Sequence, residues 1–405
     1  MKFIHISDLH LGKYLYGYSL IAQNDQPYWI EQFLKVVDQE QPDAIVMAGD
    51  IYDRSIAPRE AIKLFSDFIQ KLSIRKIPIL VIAGNHDSGI RLASMSSLLK
   101  KNKVHIVGEI TKEVESITLE DAYGPITFWL VPYLFPGAVE QALGIKVADY
   151  SQAFETLLKA QNIDYSQRNV LVAHQTISFQ NNEPEKGGSE EMVGGVSAIE
   201  QEILKDFDYV ALGHIHAAQK VGKENIRYAG SPLCYHFDET KKPKKGPLVV
   251  EIQEKGELQI RRIDIEPLHP LREVRGHLEE ILIQEKENKK TGEYIKVILT
   301  DDYVPTGAHS TLETLFQEKS SILMSMEHQP KRSYIQELEA KQDIRQLSLE
   351  ESFISFYQEK CDGEYPSLDE QKIIQKVCEQ IQNKEEESLE EDIDSLIEFV
   401  YGLEE

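Results

Sequence analysis

Five short apolar runs in this chain each end in residues that could bind a metal ion. The runs span 3–6, 44–48, 79–82, 170–173 and 209–212, and they lead into Asp8 and His10, Asp50, Asn85, His174, and His214 and His216. Short runs rich in β-branched residues and closed by glycine or polar residues are typical of buried strands. Because ligands in sheet proteins gather beyond the carboxyl ends of strands, we expect one shared site.

Helices are expected between these strands. Apolar residues recur at helical spacing over 27–40, 58–72 and 151–161, and a further helical segment is expected over 88–101. The alternation of strand and helix predicts βαβ units and an α/β fold. Between His105 and Pro132 the apolar period changes to two, which predicts antiparallel strands of a second sheet packed on the first.

The same pattern divides the chain into three parts. Residues 1–268 carry all the ligand-bearing runs, and the boundary falls near Pro267 to Pro270. Residues 269–335 alternate strand, helix, strand, helix and strand, which predicts a small α/β unit of its own. Residues 336–405 offer three amphipathic stretches and no convincing strand, and helices so short need a partner surface to be stable.

Charge is distributed unevenly along the chain. The formal net charge of −24 argues against a protein that coats nucleic acid by itself. Residues 336–405 contain 21 acidic and six basic side chains. We expect this acidic helical region to bind a basic protein partner rather than a phosphate backbone.

The cysteines and the amino terminus predict the compartment. Cys234, Cys361 and Cys378 are far apart and odd in number, which indicates a reducing environment. The chain passes from Met1 and Lys2 directly into a strand, without the pattern of a signal peptide. No apolar run approaches the roughly 20 residues that a membrane span needs. We therefore expect a cytoplasmic protein with no membrane contact.

The candidate ligands together predict a two-metal site. They are Asp8, His10, Asp50, Asn85, His174, His214 and His216. Imidazole and carboxylate without thiolate suit Mn, Fe or Zn better than Ca or Mg, and seven ligands are too many for one ion. Asp50 is the expected bridge between ions about 3.5–4 Å apart, because a lone acid after glycine can approach both. Such a pair activates water and neutralises phosphoryl oxygens, which predicts phosphoester hydrolysis.

His86 and Asp87 are predicted to act beside the ions. His86 follows the ligand Asn85 directly and could donate a proton to the leaving oxygen, while the Asp87 carboxylate fixes its tautomer. The alternative is that His86 is a further imidazole ligand. We expect both residues to be catalytic.

Three other segments are candidates for substrate contact. The loop 11–25 supplies Lys13 and several tyrosines, which could stack on bases or simply pack on the protein. Ser231, in the turn 228–232, could direct its hydroxyl at a phosphate. The lysines of 241–245 could contact DNA or form a solvated hairpin tip. The stretch 179–195 after His174 is expected to be a long exposed loop.

The ordered motifs resemble those of a known superfamily. They are Asp8-x-His10, Gly49-Asp50, Gly84-Asn85-His86-Asp87, His174 and Gly213-His214-x-His216. In this respect the chain is similar to the calcineurin-like metallophosphoesterases. Within them it resembles the SbcD/Mre11 family of nuclease subunits, on the softer features of the Tyr-x-Gly-Ser-Pro loop, the small α/β unit and the acidic helical tail.

The resemblance implies a fold, a ligand assignment and cofactors. The fold would be a two-sheet β-sandwich flanked by helices. One ion would bind Asp8, His10, Asp50 and His216, and the other Asp50, Asn85, His174 and His214. The ions would be two Mn²⁺, which Mg²⁺, Fe²⁺ or Zn²⁺ could replace.

The resemblance also implies partners and an activity. The chain would form a homodimer through its first helices, its small α/β unit would be a capping domain that faces DNA, and its last helices would bind the coiled coil of an SbcC/Rad50-like ATPase. ATP turnover would gate a 3′ to 5′ double-strand exonuclease and a single-strand and hairpin endonuclease in DNA recombination, replication and repair.

One motif departs from this pattern. Some members of the family carry a histidine shortly after Gly-Asp, where this chain has Asp53 and Arg54. The spacing Gly-Asp-x-x-Asp-Arg is similar instead to protein phosphatases, which implies that Arg54 could hold a phosphate.

Two other functions compete with a DNA nuclease. A stand-alone phosphatase or phosphodiesterase would use the same ligands but would have no need of residues 336–405. A scaffold with a vestigial site would need no ions, and the full set of ligands argues against it.

Overall fold

The computed structural model describes residues 1–180, 182, 184, 198–241, 244–330, 353–354, 357–358, 365–367 and 370–376. The chain forms two compact units, Met1–Gln329 and Pro330–Glu405. Most of the loop expected over 179–195, and most of the helical region expected over 336–405, therefore lie outside the described residues. Among the helices in the described ranges, none combines the length and the apolarity that a membrane span requires.

The elements of the first unit follow in chain order. The strands are β1 (Lys2–Ile6), β2 (Tyr14–Leu15), β3 (Tyr18–Ser19), β4 (Ala44–Ala48), β5 (Ile79–Ile82), β6 (Val104–Val107), β7 (Glu115–Asp121), β8 (Gly124–Val131), β9 (Arg168–His174), β10 (Ile177–Ser178), β11 (Ile199–Glu200), β12 (Tyr209–Gly213), β13 (Gln219–Val221), β14 (Lys223–Tyr228), β15 (Leu248–Ile252), β16 (Leu258–Arg262), β17 (Leu271–Gly276), β18 (Tyr294–Leu299) and β19 (Ile322–His328). The helices are α1 (Asp25–Glu40), α2 (Arg59–Ser73), α3 (Gly89–Leu92), α4 (Ser96–Leu99), α5 (Pro136–Leu143), α6 (Tyr150–Lys159), α7 (Leu278–Glu287) and α8 (Ala308–Glu318), with 3-10 turns at Lys100–Asn102, Gln201–Leu204 and Phe237–Lys241.

Two six-stranded sheets form the main body. The first has the strand order β16-β15-β1-β4-β5-β6 and the second has the order β13-β14-β12-β9-β8-β7. The strands β1, β4, β5 and β6 are parallel to one another, and so are β8, β9, β12 and β14. The strands that precede the candidate ligands therefore end at one edge of each sheet.

Alternation along the strands builds three apolar layers. In β4, Val46 faces the second sheet and Met47 faces the helices. Between the sheets, the ring of Phe3 contacts Phe128 at 5.3 Å and Tyr209 at 5.6 Å, both edge-on. Helices α1 and α2 cover the outer face of the first sheet, and α5 and α6 cover that of the second. The predicted two-sheet sandwich flanked by helices is confirmed.

The prediction of antiparallel strands of the second sheet between His105 and Pro132 was only partly correct. Strands β7 and β8 form an antiparallel hairpin, but β8 then pairs in parallel with β9. The strand β6 joins the first sheet, in parallel with β5. A period of two reports that one face of a strand is more exposed than the other, and it does not report the direction of the neighbouring strand.

Two helices differ from the sequence prediction. The segment 88–101 forms two single turns, α3 and α4, and a 3-10 turn instead of one helix. The hydroxyl of Ser94 donates to the carbonyl of Arg91 (2.8 Å), a local bond that competes with continued helix. Helix α5 was not predicted, although Pro136 at its first position and Gly144 after its end are ordinary helix boundaries.

The small α/β segment has the predicted order of elements. Its strands form the parallel sheet β17-β18-β19, and α7 and α8 pack on it around Ile281, Val297 and Phe316. Tyr294 belongs instead to the apolar layer beside α1. Its hydroxyl donates to the Asp25 carboxylate (2.6 Å) at the start of that helix, so the small sheet is attached to the main body.

The two sheets touch at their ligand-bearing edges through glycine. A Cβ on Gly213 would lie 1.9 Å from the Ala48 carbonyl oxygen and 2.7 Å from His174 Nδ1. A Cβ on Gly84 would lie 2.1 Å from Asp50 Oδ1. Since real side-chain atoms do not approach this closely, the glycines before Asn85 and His214 are what let these strand ends converge.

We predict that Gly213→Ala separates the sheets at this edge and lowers the free energy of unfolding by about 3 kcal/mol, as severe overpacking does. Urea unfolding measures the loss. Gly276→Ala is the matched control, because its Cβ would meet nothing nearer than 3.4 Å and would cost less than about 1 kcal/mol. Equal stability of the two variants would contradict the close approach.

Candidate metal centre

The loops that follow the five strands are tied to one another by backbone hydrogen bonds. The amide of Asp8 donates to the Gly49 carbonyl (3.0 Å), and the amide of His10 donates to the Asp50 carbonyl (3.0 Å). The amide of His214 donates to Asp8 Oδ1 (2.8 Å), which connects the second sheet to the first. The strand ends therefore meet at one place, as the sequence predicted.

Four of the candidate ligands have left-handed backbone conformations. The φ angles are 54° at Asp8, 41° at His10, 50° at Asp50 and 96° at His214. Such angles are uncommon for residues other than glycine and cost about 1–3 kcal/mol each. The hydrogen bonds between the loops stabilise these strained conformations. The conformations in turn direct the four side chains toward a common point.

Asp50 lies at the centre of the cluster. Its Oδ1 accepts a hydrogen bond from the amide of His86 (2.9 Å). Its Oδ2 lies 3.5 Å from His10 Nε2 and 3.3 Å from His174 Nε2. One oxygen is thus fixed by the backbone, and the other lies between two sets of candidate ligands.

The first ligand group consists of Asp8, His10 and His216. One potential ligand atom from each lies within 4.8 Å of the others. The Nε2 atoms of His10 and His216 are 3.1 Å apart. Two nitrogens bound at right angles to one cation, each at about 2.1 Å, lie about 3 Å apart, so the spacing suits a shared ion.

The second ligand group consists of Asn85, His174 and His214. Asn85 Oδ1 is 3.1 Å from His174 Nε2 and 2.9 Å from His214 Nδ1. The Nδ1 of His174 donates to the Ala48 carbonyl (2.7 Å), which leaves Nε2 for the centre. His214 offers Nδ1 where the other imidazoles offer Nε2, a distinction that the spacing of the motif does not reveal.

Burial and charge set the protonation of these groups. Burial lowers the pKa of His10, of His214 to about 3, and of His216 well below its usual value, which favours the neutral form of these imidazoles. Burial also opposes charge on His174, but the Asp50 carboxylate prevails and raises its pKa to about 9. The centre therefore favours positive charge beside Asp50, and its nitrogen and oxygen donors fit divalent cations.

Asp87 does not have the predicted role of fixing the His86 tautomer. Its carboxylate accepts hydrogen bonds from the amides of Ile51 (3.0 Å), Tyr52 (2.9 Å) and Gly84 (2.9 Å). The hydrogen bond from His86 Nδ1 goes instead to the carbonyl of Asp53 (2.9 Å). Asp87 therefore joins the loops after β4 and β5. Its carboxylate is the acceptor for three backbone amides of these loops, which would otherwise be buried without one.

His86 itself lies beside the first ligand group. A potential ligand atom of His86 is within 4.8 Å of those of His10 and Asp50, and its ring centroid is 4.8 Å from that of His10. The carbonyl of Asp53 can only accept, so the hydrogen of the neutral ring lies on Nδ1 and its lone pair lies on Nε2. Both predicted roles, proton donor and further ligand, are compatible with this position.

Asp53 and Gln26 support His10, a role that the sequence did not predict for either. Asp53 Oδ1 lies 3.5 Å from His10 Nδ1 and accepts from Lys13 Nζ (2.8 Å). Gln26 Nε2 donates to the His10 carbonyl (2.8 Å), and its Oε1 accepts from the Gly12 amide (3.0 Å). The position of Asp53 in the Gly-Asp motif could have indicated a role in the site. Nothing in the sequence around Gln26 indicates such a role.

The candidate substrate contacts have different positions. Arg54 is on the surface, with 72% of its side chain exposed and its Nε 3.7 Å from Asp53 Oδ2. Ser231 is 1% exposed, and its hydroxyl donates to the Leu233 carbonyl (2.8 Å), so it is not aimed at the centre. Of the lysines of 241–245, Lys245 is buried, and its Nζ donates to Ser231 Oγ (2.9 Å). Neither Ser231 nor Lys245 can reach a phosphate without breaking these contacts.

Comparison with protein families gives two matches. Residues 1–218 match the calcineurin-like phosphoesterase model. Residues 267–360 match the model described as the type 5 capsule protein repressor C-terminal domain. The first match covers all the candidate ligands, and the second begins at the predicted domain boundary.

Curated relatives and solved structures were also found. A protein from Staphylococcus epidermidis, named as the SbcD component of the nuclease SbcCD, is 33% identical over 308 residues, which are 74% of this chain and 79% of the relative. The protein of the same name from Staphylococcus saprophyticus is 32% identical over 299 residues, 73% of this chain and 77% of the relative. A solved dimetal phosphatase from Danio rerio covers 66% of this chain and 97% of its own, with 9% identity and a TM-score of 0.36.

We predict that Asp87→Asn weakens manganese binding by about 10- to 100-fold, as loss of groups that support ligands does. The NH2 group of asparagine would replace one of the two acceptor oxygens, so at least one of the three backbone amides would lose its acceptor and the contact between the loops of Asp50 and Asn85 would weaken. Calorimetric titration with Mn²⁺ measures the change. Asp67→Asn, on the exposed face of α2, is the control, and equal affinities would contradict the role of Asp87.

Proposed function

Because this chain belongs to the SbcD nucleases of the calcineurin-like phosphoesterase family, we propose that it hydrolyses DNA phosphodiester bonds with two divalent cations held at Asp50. Members of this family bind divalent metal ions, and the chain is a metal-dependent nuclease. The observation that carries the two-ion proposal is the position of Asp50 Oδ2, 3.5 Å from His10 Nε2 and 3.3 Å from His174 Nε2. Asp50 Oδ2 therefore lies between the two ligand groups and could bind the ion of each.

Each ligand group would hold one ion. Asp8, His10 and His216 with Asp50 would bind the first ion, and Asn85, His174 and His214 with Asp50 would bind the second. The proposed ions are two Mn²⁺. When bound, they would activate water and neutralise the charge that develops on the phosphoryl oxygens.

His86 would act as the proton donor for the leaving oxygen. Its Nδ1 is engaged by the Asp53 carbonyl, so Nε2 is the nitrogen that can carry and release the proton. Arg54, exposed beside Asp53, could approach a phosphate of the bound strand. The second interpretation of His86, as a further ligand, predicts loss of metal binding when the ring is replaced.

The division of the chain supports a larger assembly. We assign 1–268 to the nuclease domain, 269–335 to a capping domain that faces DNA, and 336–405 to binding of an SbcC-like coiled-coil ATPase. The acidic balance of the last segment suits a basic coiled-coil surface. In the cytoplasm, ATP turnover by that partner would gate exonuclease action on duplex ends and endonuclease action on hairpins and single strands, in DNA recombination, replication and repair.

Exposed apolar side chains before α2 and around α3 and α4 support the proposed homodimer through the first helices. Ile56, Ile90, Met95 and Leu98 are each more than half exposed. The guanidinium of Arg91 donates to the Ser55 carbonyl (3.1 Å), which keeps two of these segments together. Burial of these side chains against a second copy would remove them from water.

We predict that His86→Asn lowers Mn²⁺-dependent cleavage of duplex DNA ends by about 100-fold, the lower range for loss of a general acid. Manganese affinity, measured by calorimetry, should stay within about threefold of the wild-type value. A substrate with a good leaving group, such as bis(p-nitrophenyl) phosphate, should lose much less activity because its leaving oxygen needs no proton. Unchanged cleavage of DNA would contradict the proton-donor role, and loss of one ion would favour the ligand role.

We predict that deletion of 336–405 abolishes ATP-stimulated cleavage and co-purification with the SbcC-like ATPase, while hydrolysis of bis(p-nitrophenyl) phosphate continues. The reason is that the deleted residues lie outside the compact unit that holds the centre. Light scattering of the same sample should give the mass of a dimer. If all activity on DNA were independent of the tail, a stand-alone phosphodiesterase would be the better assignment.

A further inference from the structure

Lys245 is a buried cation beside the first ligand group. Its side chain is 7% exposed, and its Nζ contacts three oxygens: the His216 carbonyl at 2.7 Å, Ser231 Oγ at 2.9 Å and Glu239 Oε2 at 2.6 Å. An ammonium has three hydrogens, so each can be matched by one of these acceptors. A buried lysine is tolerated only with such complete pairing.

Glu239 extends this contact to the imidazole of His216. Its Oε1 accepts from the Tyr235 amide (3.0 Å) and lies 4.0 Å from His216 Nδ1. The ring of Tyr235 meets the rings of His10 (5.5 Å) and His216 (5.6 Å) edge-on. The carboxylate therefore lies behind His216, on the side away from the other ligands.

The turn around Ser231 closes the same arrangement. The amide of Ser231 donates to the His216 carbonyl (3.1 Å), which also accepts from Lys245. Gly230 has φ of 76°, and a Cβ there would lie 2.7 Å from the Ala218 amide nitrogen. The Tyr-x-Gly-Ser-Pro segment and the last lysine of 241–245 are thus buried and hold the loop of His216.

We infer that Lys245 and Glu239 are positioning residues that set His216 for the first ion, an inference that rests on the proposed function. Lys245 fixes the backbone of His216 through its carbonyl. The negative charge of Glu239 near Nδ1 favours a hydrogen on that atom and leaves the lone pair of Nε2 directed at His10, 3.1 Å away. Carboxylates behind metal-binding histidines orient ligands in this way.

The pair acts on one ligand group only. In the second group, His174 Nδ1 donates to a backbone carbonyl, that of Ala48, and no contact of Lys245 or Glu239 reaches Asn85 or His174 among the described residues. Loss of the pair should therefore lower the affinity for the first ion more than the affinity for the second. A general loss of stability would lower both affinities.

The test is calorimetric titration of the full-length chain with Mn²⁺. The variant is Glu239→Gln with Lys245→Met, which removes both buried charges and nearly keeps the volume. Its melting temperature without metal should stay close to that of the wild type. The wild type should bind two ions, and the variant should bind one of them about 10- to 100-fold more weakly, with the other within about threefold.

The matched control removes a buried ion pair at the end of the second sheet opposite the candidate ligands. The guanidinium of Arg168, the first residue of β9, donates to the Asp121 carboxylate (2.6 Å), and both side chains are largely buried. The control variant is Arg168→Met with Asp121→Asn. This control should bind both ions as the wild type does. Equal loss in control and variant, or unchanged binding in the variant, would overturn the inference.

A second variant serves if the double variant does not fold. Ser231→Ala keeps the ion pair and removes one acceptor of Lys245, so it should weaken the same ion by about two- to fivefold, a smaller loss than that of the pair. Unchanged binding here would overturn the inference. A wild-type chain that bound no manganese would overturn the proposed function itself, so the two failures are distinct.

Discussion

Contact between the two sheets at their ligand-bearing edges is the constraint on which the rest of the structure depends. The hydrogen bond from His174 Nδ1 to the Ala48 carbonyl crosses from one sheet to the other. It is possible only because Gly213 has no side chain at that point. Elsewhere the sheets are separated by an apolar layer of large side chains. The cluster of candidate ligands therefore forms at the edge of that layer, where the backbones of the two sheets are in contact.

Because the backbones are so close at this edge, backbone amides donate to the carboxylate oxygens of the cluster. Asp8 gives one oxygen to the amide of His214, and Asp50 gives one to the amide of His86. Asp87 gives both of its oxygens to amides, and burial with the nearby charge of Asp50 raises its pKa to about 6. An acid in this cluster therefore keeps an oxygen available as a candidate ligand, or serves only as a structural acceptor, according to how many amides donate to it.

Local sequence patterns predicted most of this arrangement. The strand ends and the seven candidate ligands are visible because each apolar run is followed within a few residues by the candidate ligands, three of which come directly after a glycine. The side chains that support them are not, because their partners are distant in the chain: Gln26 binds the His10 carbonyl, and Lys245 binds that of His216. The sequence allows substrate contacts at Ser231 and at the lysines of 241–245, because burial cannot be judged from a lysine or a serine alone. Nor does a period of two give the direction of β6.

Two consecutive residues at the start of α1 have contacts in opposite directions. The Asp25 carboxylate binds Tyr294 and His269 of the small sheet segment, while Gln26 binds the carbonyl of His10. Both lie in the first turn of α1, so this turn joins the two sets of contacts. Displacement of the small sheet and displacement of the His10 loop are therefore not independent degrees of freedom, and a force applied to one is transmitted to the other over a single helical turn.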